Sequence, residues 1–142
     1  MRLSTKSRYA VTSLLDVVMH SEEGPVSLAD ISKRQGVSLS YLEQLFSKMR
    51  RHDLVISTRG PGGGYLLSRE PGEINIADVV QSVDEELKVF NKDALEGGVS
   101  FEPCLTETLW DELSDEIMGY LSGITLAEII ISHQKEKASL AV

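Results

Sequence analysis

A chain of 142 residues with 42% hydrophobic content is enough for one ordinary globular domain with a modest core and an appendage, and nothing in it suggests two large domains. No run approaches the ~20 apolar residues needed to span a bilayer, and the lone cysteine, Cys104, excludes a disulfide within the chain and fits a reducing compartment, so a cytoplasmic protein is expected. The net charge of −8 argues against a polyanionic partner only as an average: residues 1–70 hold ten Lys/Arg against seven Asp/Glu, and residues 71–142 hold four against fifteen. A basic N-terminal module is joined to an acidic C-terminal one, and the first keeps a surface fit for a phosphate backbone.

In the opening stretch MRLSTKSRYAVTSLLDVVMH, Asp16 interrupts the apolar part, which recurs at helical spacing instead of running on as a signal peptide would. Ser4 or Thr5 can cap a helix whose Val11, Leu14, Leu15 and Val18 fall at i, i+3, i+4 and i+7. Arg2, Lys6 and Arg8 place positive charge at its start. GPVSLADISKRQG follows, with Ser27 an N-cap, Asp30 in the first turn and Gly36 closing a short helix. Two residues later SLSYLEQLFSKMRR begins a third helix. Two short helices around a glycine-containing turn are the signature of a helix-turn-helix, a weak pattern by itself.

The third helix carries two stripes. Leu42, Leu45, Phe46 and Met49 form an apolar one; Ser40, Glu43, Gln44 and Ser47 form a polar one. The polar stripe is either a solvated helix face or a set of short side chains that reach base edges, Gln to adenine and Glu to the amino group of cytosine. LVISTR, GPGGG and YLLSR then read as a strand, a glycine turn and a second strand. No lysine follows the glycines as a phosphate-cradling loop requires, and no helix follows as a dinucleotide fingerprint requires. The glycines are expected at the tip of a β-hairpin with Arg59 at its base, and the narrow tip of Gly60, Pro61 and Gly62 fits a minor groove beside that arginine. The fold expected is mainly α with a small β-hairpin wing, a winged helix-turn-helix.

These residues resemble the IscR-type iron–sulfur regulators and their relatives among winged-helix bacterial transcription factors. The resemblance runs through MRLSTKSRYAV, GPVSLADIS, RQGVSLSYLEQLF, RGPGGGYLL, NIADVVQSVDE and CLTETLWDELSDEI. It implies a homodimer on double-stranded, palindromic promoter DNA with one recognition helix per subunit in successive major grooves, acting as a repressor of iron–sulfur assembly or related genes. The positions matching Ser40, Glu43 and Gln44 contact bases in the family, Glu43 helps choose between two classes of site, and the position matching Arg59 enters the minor groove. Ser38, Tyr41 and Ser47 complete the expected DNA-facing set.

In the acidic half, Asn75 can cap IADVVQSVDEEL, after which the chain loosens through NKDALEGGVSFEP. A long helix is expected from about Cys104 to Leu121. Trp110, Leu113, Ile117, Tyr120 and Ile124 repeat at spacings of three and four, the rhythm of a seam against a partner helix or of core packing within one subunit. The resemblance implies the former. Thr125 and Glu128 read as a capping box opening a last short helix, followed by a frayed tail. The expected division is a DNA-binding domain at 1–72, a dimerisation and sensor region at 73–132 with a loop at 88–103, and a flexible tail at 133–142.

In cluster-binding members of the family three cysteines and a histidine hold a 2Fe–2S cluster. Here Cys104 matches the third cysteine, Lys92 and Gly98 occupy the first two cysteine positions, and Glu107 the histidine position. One thiolate per subunit falls short of the four ligands such a cluster needs. Cluster-free DNA binding is therefore expected, with an unknown effector as the remaining input. The alternatives are a redox sensor with unusual ligands around Cys104 and Glu107, and a protein-binding module whose DNA-binding half is vestigial. An enzyme pairing Cys104 with His20, His52 or His133 lacks any accompanying oxyanion-hole motif.

Overall fold

The computed structural model describes residues 4–84 and 105–140. In chain order it holds α1 (Thr5–His20), α2 (Leu28–Gln35), α3 (Leu39–Arg51), β1 (Val55–Thr58), β2 (Gly64–Leu67), a 3-10 turn (Pro71–Glu73), α4 (Ile76–Val83), α5 (Glu107–Ser122) and α6 (Leu126–Leu140). The mainly helical architecture with a two-stranded antiparallel hairpin is the expected winged helix-turn-helix.

Local chemistry sets the helix starts. Ser4 Oγ accepts the Ser7 amide, Ser27 Oγ the Asp30 amide and Ser38 Oγ the Tyr41 amide, each at 3.2 Å, and Asn75 Oδ1 accepts the Asp78 amide at 2.9 Å. Each bond satisfies an amide that the helix itself leaves without a partner. Gly36 ends α2 at φ 67°, where the chain must turn within two residues to start α3, and its amide bonds back to the Ser32 carbonyl at 2.9 Å.

One core serves the whole described chain. Ala10, Leu14 and Val17 of α1, Ile31 of α2, and Leu42, Leu45, Phe46 and Met49 of α3 pack with Val79, Val80 and Val83 of α4 and with Leu121 and Leu126. The expected boundary at residue 72 therefore does not separate two cores: Ile74, Ile76 and Ala77, just beyond it, are buried in the same cluster. Short backbone pairings close the ends. Val26 exchanges both hydrogen bonds with Tyr65 of β2, at 3.0 and 2.8 Å. Ile76 donates to the Ile124 carbonyl at 2.8 Å and Leu126 to that of Ile74 at 3.0 Å, tying the start of α4 to the start of α6.

Two boundaries differ from expectation. Within the described residues α5 begins at Glu107, Leu105 and Thr106 forming a turn before it; Cys104 lies outside them. The last helix does not stop after a few residues. α6 runs through Leu140, so residues 133–140 are helical where a frayed tail was expected. Its sequence explains this, since no Gly or Pro interrupts positions 126–140 and Glu, Lys, Gln, Ala and Leu all favour a helix.

Candidate nucleic-acid interface

The candidate surface is carried by α3, whose rotation is set from inside. Leu42, Leu45, Phe46 and Met49 are almost fully buried, and the Phe46 ring packs tilted against Tyr65 of the wing, centroids 4.9 Å apart. Locking that stripe leaves Ser40, Glu43, Gln44 and Ser47 exposed together on the opposite face. Lys48 and Arg51 share this face and line one shallow depression with the four polar residues. They were missing from the expected DNA-facing set, although their spacing of four and seven residues from Gln44 places them on the same stripe. Arg51 Nη2 donates to Ser47 Oγ at 3.4 Å, and Arg50 Nη1 reaches Ser57 Oγ on β1 at 3.3 Å.

Ser38 and Tyr41 differ from these four. Ser38 is the cap of α3, its oxygen occupied by the Tyr41 amide. Tyr41 is half-buried and packs against the core, with Tyr9 edge-on at 5.8 Å; burial, with Tyr9 adding to it, raises its hydroxyl pKa. The contact joins the start of α1 to the start of α3, so the exposed Lys6 and Arg8 lie on the element next to α3. Arg2 lies outside the described residues.

α2 is fixed to α1 by a buried ion pair. The Asp16 side chain is fully buried and accepts from Arg34 Nε at 3.0 and 3.2 Å, from Arg34 Nη2 at 2.7 Å and from Gln35 Nε2 at 2.8 Å. Burial alone would raise the Asp16 pKa. The hydrogen bonds from Arg34 and Gln35, with the charges of Arg34 and His20, outweigh it and hold the carboxyl below its ordinary value. His20 completes the cluster, its Nδ1 donating to the Asp16 backbone carbonyl at 2.9 Å. This bond network sits where the first helix of the motif must hold the turn before α3.

The wing explains each glycine separately. β1 and β2 pair Val55 with Leu67, Ile56 with Leu66, Ser57 with Tyr65 and Thr58 with Gly64. Gly60 and Gly62 have φ of 100° and 74°, the left-handed region a tight tip requires, and Arg59 beside them is exposed. Gly63 and Gly64 meet a different constraint. A Cβ on Gly63 would lie 2.3 Å from the Thr58 carbonyl oxygen, and one on Gly64 2.3 Å from that of Val26. Two of the four glycines turn the chain and two let backbones approach.

The sequence profile of Rrf2, described as an iron-dependent transcriptional regulator, matches residues 3–132. The chain belongs to the Rrf2 family. It is 56% identical over 130 residues to the HTH-type transcriptional regulator IscR of Serratia proteamaculans, covering 92% of this chain and 79% of that one. Among solved structures it resembles IscR of T. potens, with TM-score 0.76 and 37% identity over 96% of this chain and 90% of the other. It also resembles CymR, the global cysteine regulator of B. subtilis, with TM-score 0.72 and 32% identity over 91% of this chain and 95% of the other. The chain is thus a winged-helix, DNA-binding transcriptional regulator similar to IscR.

The family description raises the question of iron. At the positions matched by resemblance to cluster ligands, this chain offers one thiol at Cys104, one carboxylate at Glu107, an amine at Lys92 and no side chain at Gly98. That donor set does not fit a 2Fe–2S cluster, which is held by four thiolates or by thiolates with imidazoles. Among the described residues no three His, Cys, Asp or Glu side chains come together as a metal site. Glu107 opens α5; the loop at 88–103 and Cys104 lie outside the described residues.

The expected dimer seam divides on inspection. Ile117 and Ile124 turn inward and pack on the subunit's own core, while Trp110 and Leu113 are half-buried and Tyr120 is 72% exposed. Leu109, absent from the expected seam, is 54% exposed. No described helix is long and apolar enough to cross a membrane.

Proposed function

We propose that the chain acts as a homodimer that reads palindromic promoter DNA with α3 in the major groove and Arg59 in the adjacent minor groove, without a cluster, and represses by occluding the promoter. The observation that carries this is the single exposed stripe of α3, on which Ser40, Glu43, Gln44 and Ser47 are continued by Lys48 and Arg51 while the opposite stripe is held in the core. Short polar groups in the middle read base edges and cations at the end hold phosphates. The wing tip, with Gly60, Pro61 and Gly62 presenting little side-chain bulk, lets Arg59 approach a narrow groove. Leu109 and Tyr120 on α5, with Trp110 and Leu113 beside them, supply the apolar surface for a second copy, which spaces the two recognition helices by about one turn of DNA. Residues 1–72 carry the DNA contacts and residues 73–132 the assembly.

The test is site selection from a random duplex pool followed by anisotropy titration across salt. A palindromic consensus is expected, with affinity falling by orders of magnitude between roughly 50 and 200 mM salt. Glu43→Ala is expected to broaden the set of accepted sites more than it weakens binding. A flat salt response would refute DNA reading by this face and favour a protein partner, and an unchanged site set in Glu43→Ala would remove that residue from specificity.

A further inference from the structure

A cleft of about 380 Å³ opens between α1, the end of α2 and α6. Leu15, Met19, Ile129 and Ile130 give it apolar walls; His20, Arg34 and His133 stand among them. Its size lies in the range of small-molecule sites, which combine apolar walls with a few convergent polar groups. Among the ionisable groups lining it, Asp16 is the one acid, and both of its oxygens are taken by Arg34 and Gln35. Arg34 uses Nε and Nη2 on Asp16, and its Nη1 makes no hydrogen bond to any described residue. His20 gives its Nδ1 hydrogen to the Asp16 carbonyl, which leaves Nε2. His133 is exposed. The ionisable groups remaining for an occupant are therefore a guanidinium and two imidazoles, with the Thr12 hydroxyl and the Gln35 amide beside them on the wall.

We propose that this cleft binds a small organic carboxylate with an apolar body, the body against Leu15, Met19, Ile129 and Ile130 and the carboxylate toward Arg34, His20 and His133. A neutral ligand of the same shape would fill the walls and forgo the charge-assisted bonds. The occupant touches α6 on one side and the Asp16–Arg34 pair that fixes α2 to α1 on the other. Its binding energy is thereby linked to the placement of the helix-turn-helix, and this consequence rests on the DNA-binding role already described.

The direct test needs no DNA. The full chain is titrated by calorimetry with octanoate and with 4-phenylbutyrate, and with octanamide and 4-phenylbutanamide as neutral counterparts. Saturable binding of one acid per chain is expected, about fivefold or more tighter than its amide. Ile130→Trp fills the cleft from a residue outside the core cluster, and is expected to weaken the acid about tenfold or more while circular dichroism stays unchanged. His133→Gln, an exposed position, is expected to narrow the gap between acid and amide. No saturable binding of either acid, equal affinity for acid and amide, or undiminished binding in Ile130→Trp would each overturn the assignment. So would a cleft occupied by a second copy, seen as a lower sedimentation coefficient in Ile130→Trp with no acid titrating.

Discussion

Removing the Asp16 carboxylate tests whether the ion pair between α1 and α2 holds the motif together. The side chain is fully buried and accepts four hydrogen bonds, three from Arg34 and one from Gln35. Breaking a buried pair by deleting one partner costs about 3–5 kcal/mol. Here the cation left behind is 33% exposed and can turn to water, so the lower end applies and part of it is screened away. Asp16→Ala is therefore expected to lose about 2–3 kcal/mol. Asp16→Asn keeps the shape and one acceptor and is expected to lose about half as much.

Urea denaturation followed by far-ultraviolet dichroism, at one fixed protein concentration, measures the loss. The pH dependence supplies a second reading. The folded-state pKa of Asp16 lies below its unfolded value near ~3.9, so its contribution is complete above that value and disappears as pH falls through the lower folded one. The stability gap between the natural chain and Asp16→Asn should be constant at neutral pH and close in acid. A loss under about 0.5 kcal/mol in Asp16→Ala, or a gap that stays constant into strong acid, would refute the reasoning.

Three further outcomes are expected. Gly64→Ala places a Cβ against the Val26 carbonyl and must open the Val26–Tyr65 pair, losing about 2–3 kcal/mol in thermal or urea melts. Gly62→Ala meets open space and loses only about 1 kcal/mol for its φ of 74°; equal losses at the two sites would contradict the close-approach account. Leu109→Glu with Tyr120→Glu should shift sedimentation from dimer to monomer with helicity retained, and an unchanged mass would move the interface elsewhere. Arg59→Ala should weaken binding to the selected duplex by about 1–3 kcal/mol, and unchanged affinity would remove the wing from recognition.

What could be read from the sequence was what is decided within a turn or two of chain. The caps at Ser4, Ser27 and Asn75, the left-handed stop at Gly36 and the two stripes of α3 all depend on neighbours three or four residues away, and each stands where its spacing put it. Single long-range contacts left no such trace. Asp16 stood out only as an interruption in an apolar pattern, and nothing in the spacing named Arg34 and Gln35, eighteen and nineteen residues on, as its partners. The Val26–Tyr65 pairing is one residue long on the Val26 side, too short to show alternation. On α5 the rhythm of three and four was real but served two purposes, because a helix lying on a small domain presents one flank to the core and the next to whatever lies outside. Periodicity counts apolar positions and does not say which neighbour each will meet.

The same limit bears on charge. Averaged, an acidic chain of net charge −8 repels a phosphate backbone; folded, its cations are sorted by position. Lys48, Arg50 and Arg51 end α3, Lys6 and Arg8 begin the helix that touches it through Tyr9 and Tyr41, and Arg59 tips the wing. The acids gather on α5, where Asp111, Glu112, Asp115 and Glu116 lie within one helix separate from α3 and the wing. At physiological ionic strength fields fade over roughly 8 Å. The cations on α3 itself act on a phosphate beside that helix, while the acids on α5 add to the molecule's net charge and solubility. The core makes that sorting possible: by burying one stripe of α3 against α1 and α4, it decides which charges and which polar groups that helix presents to solvent.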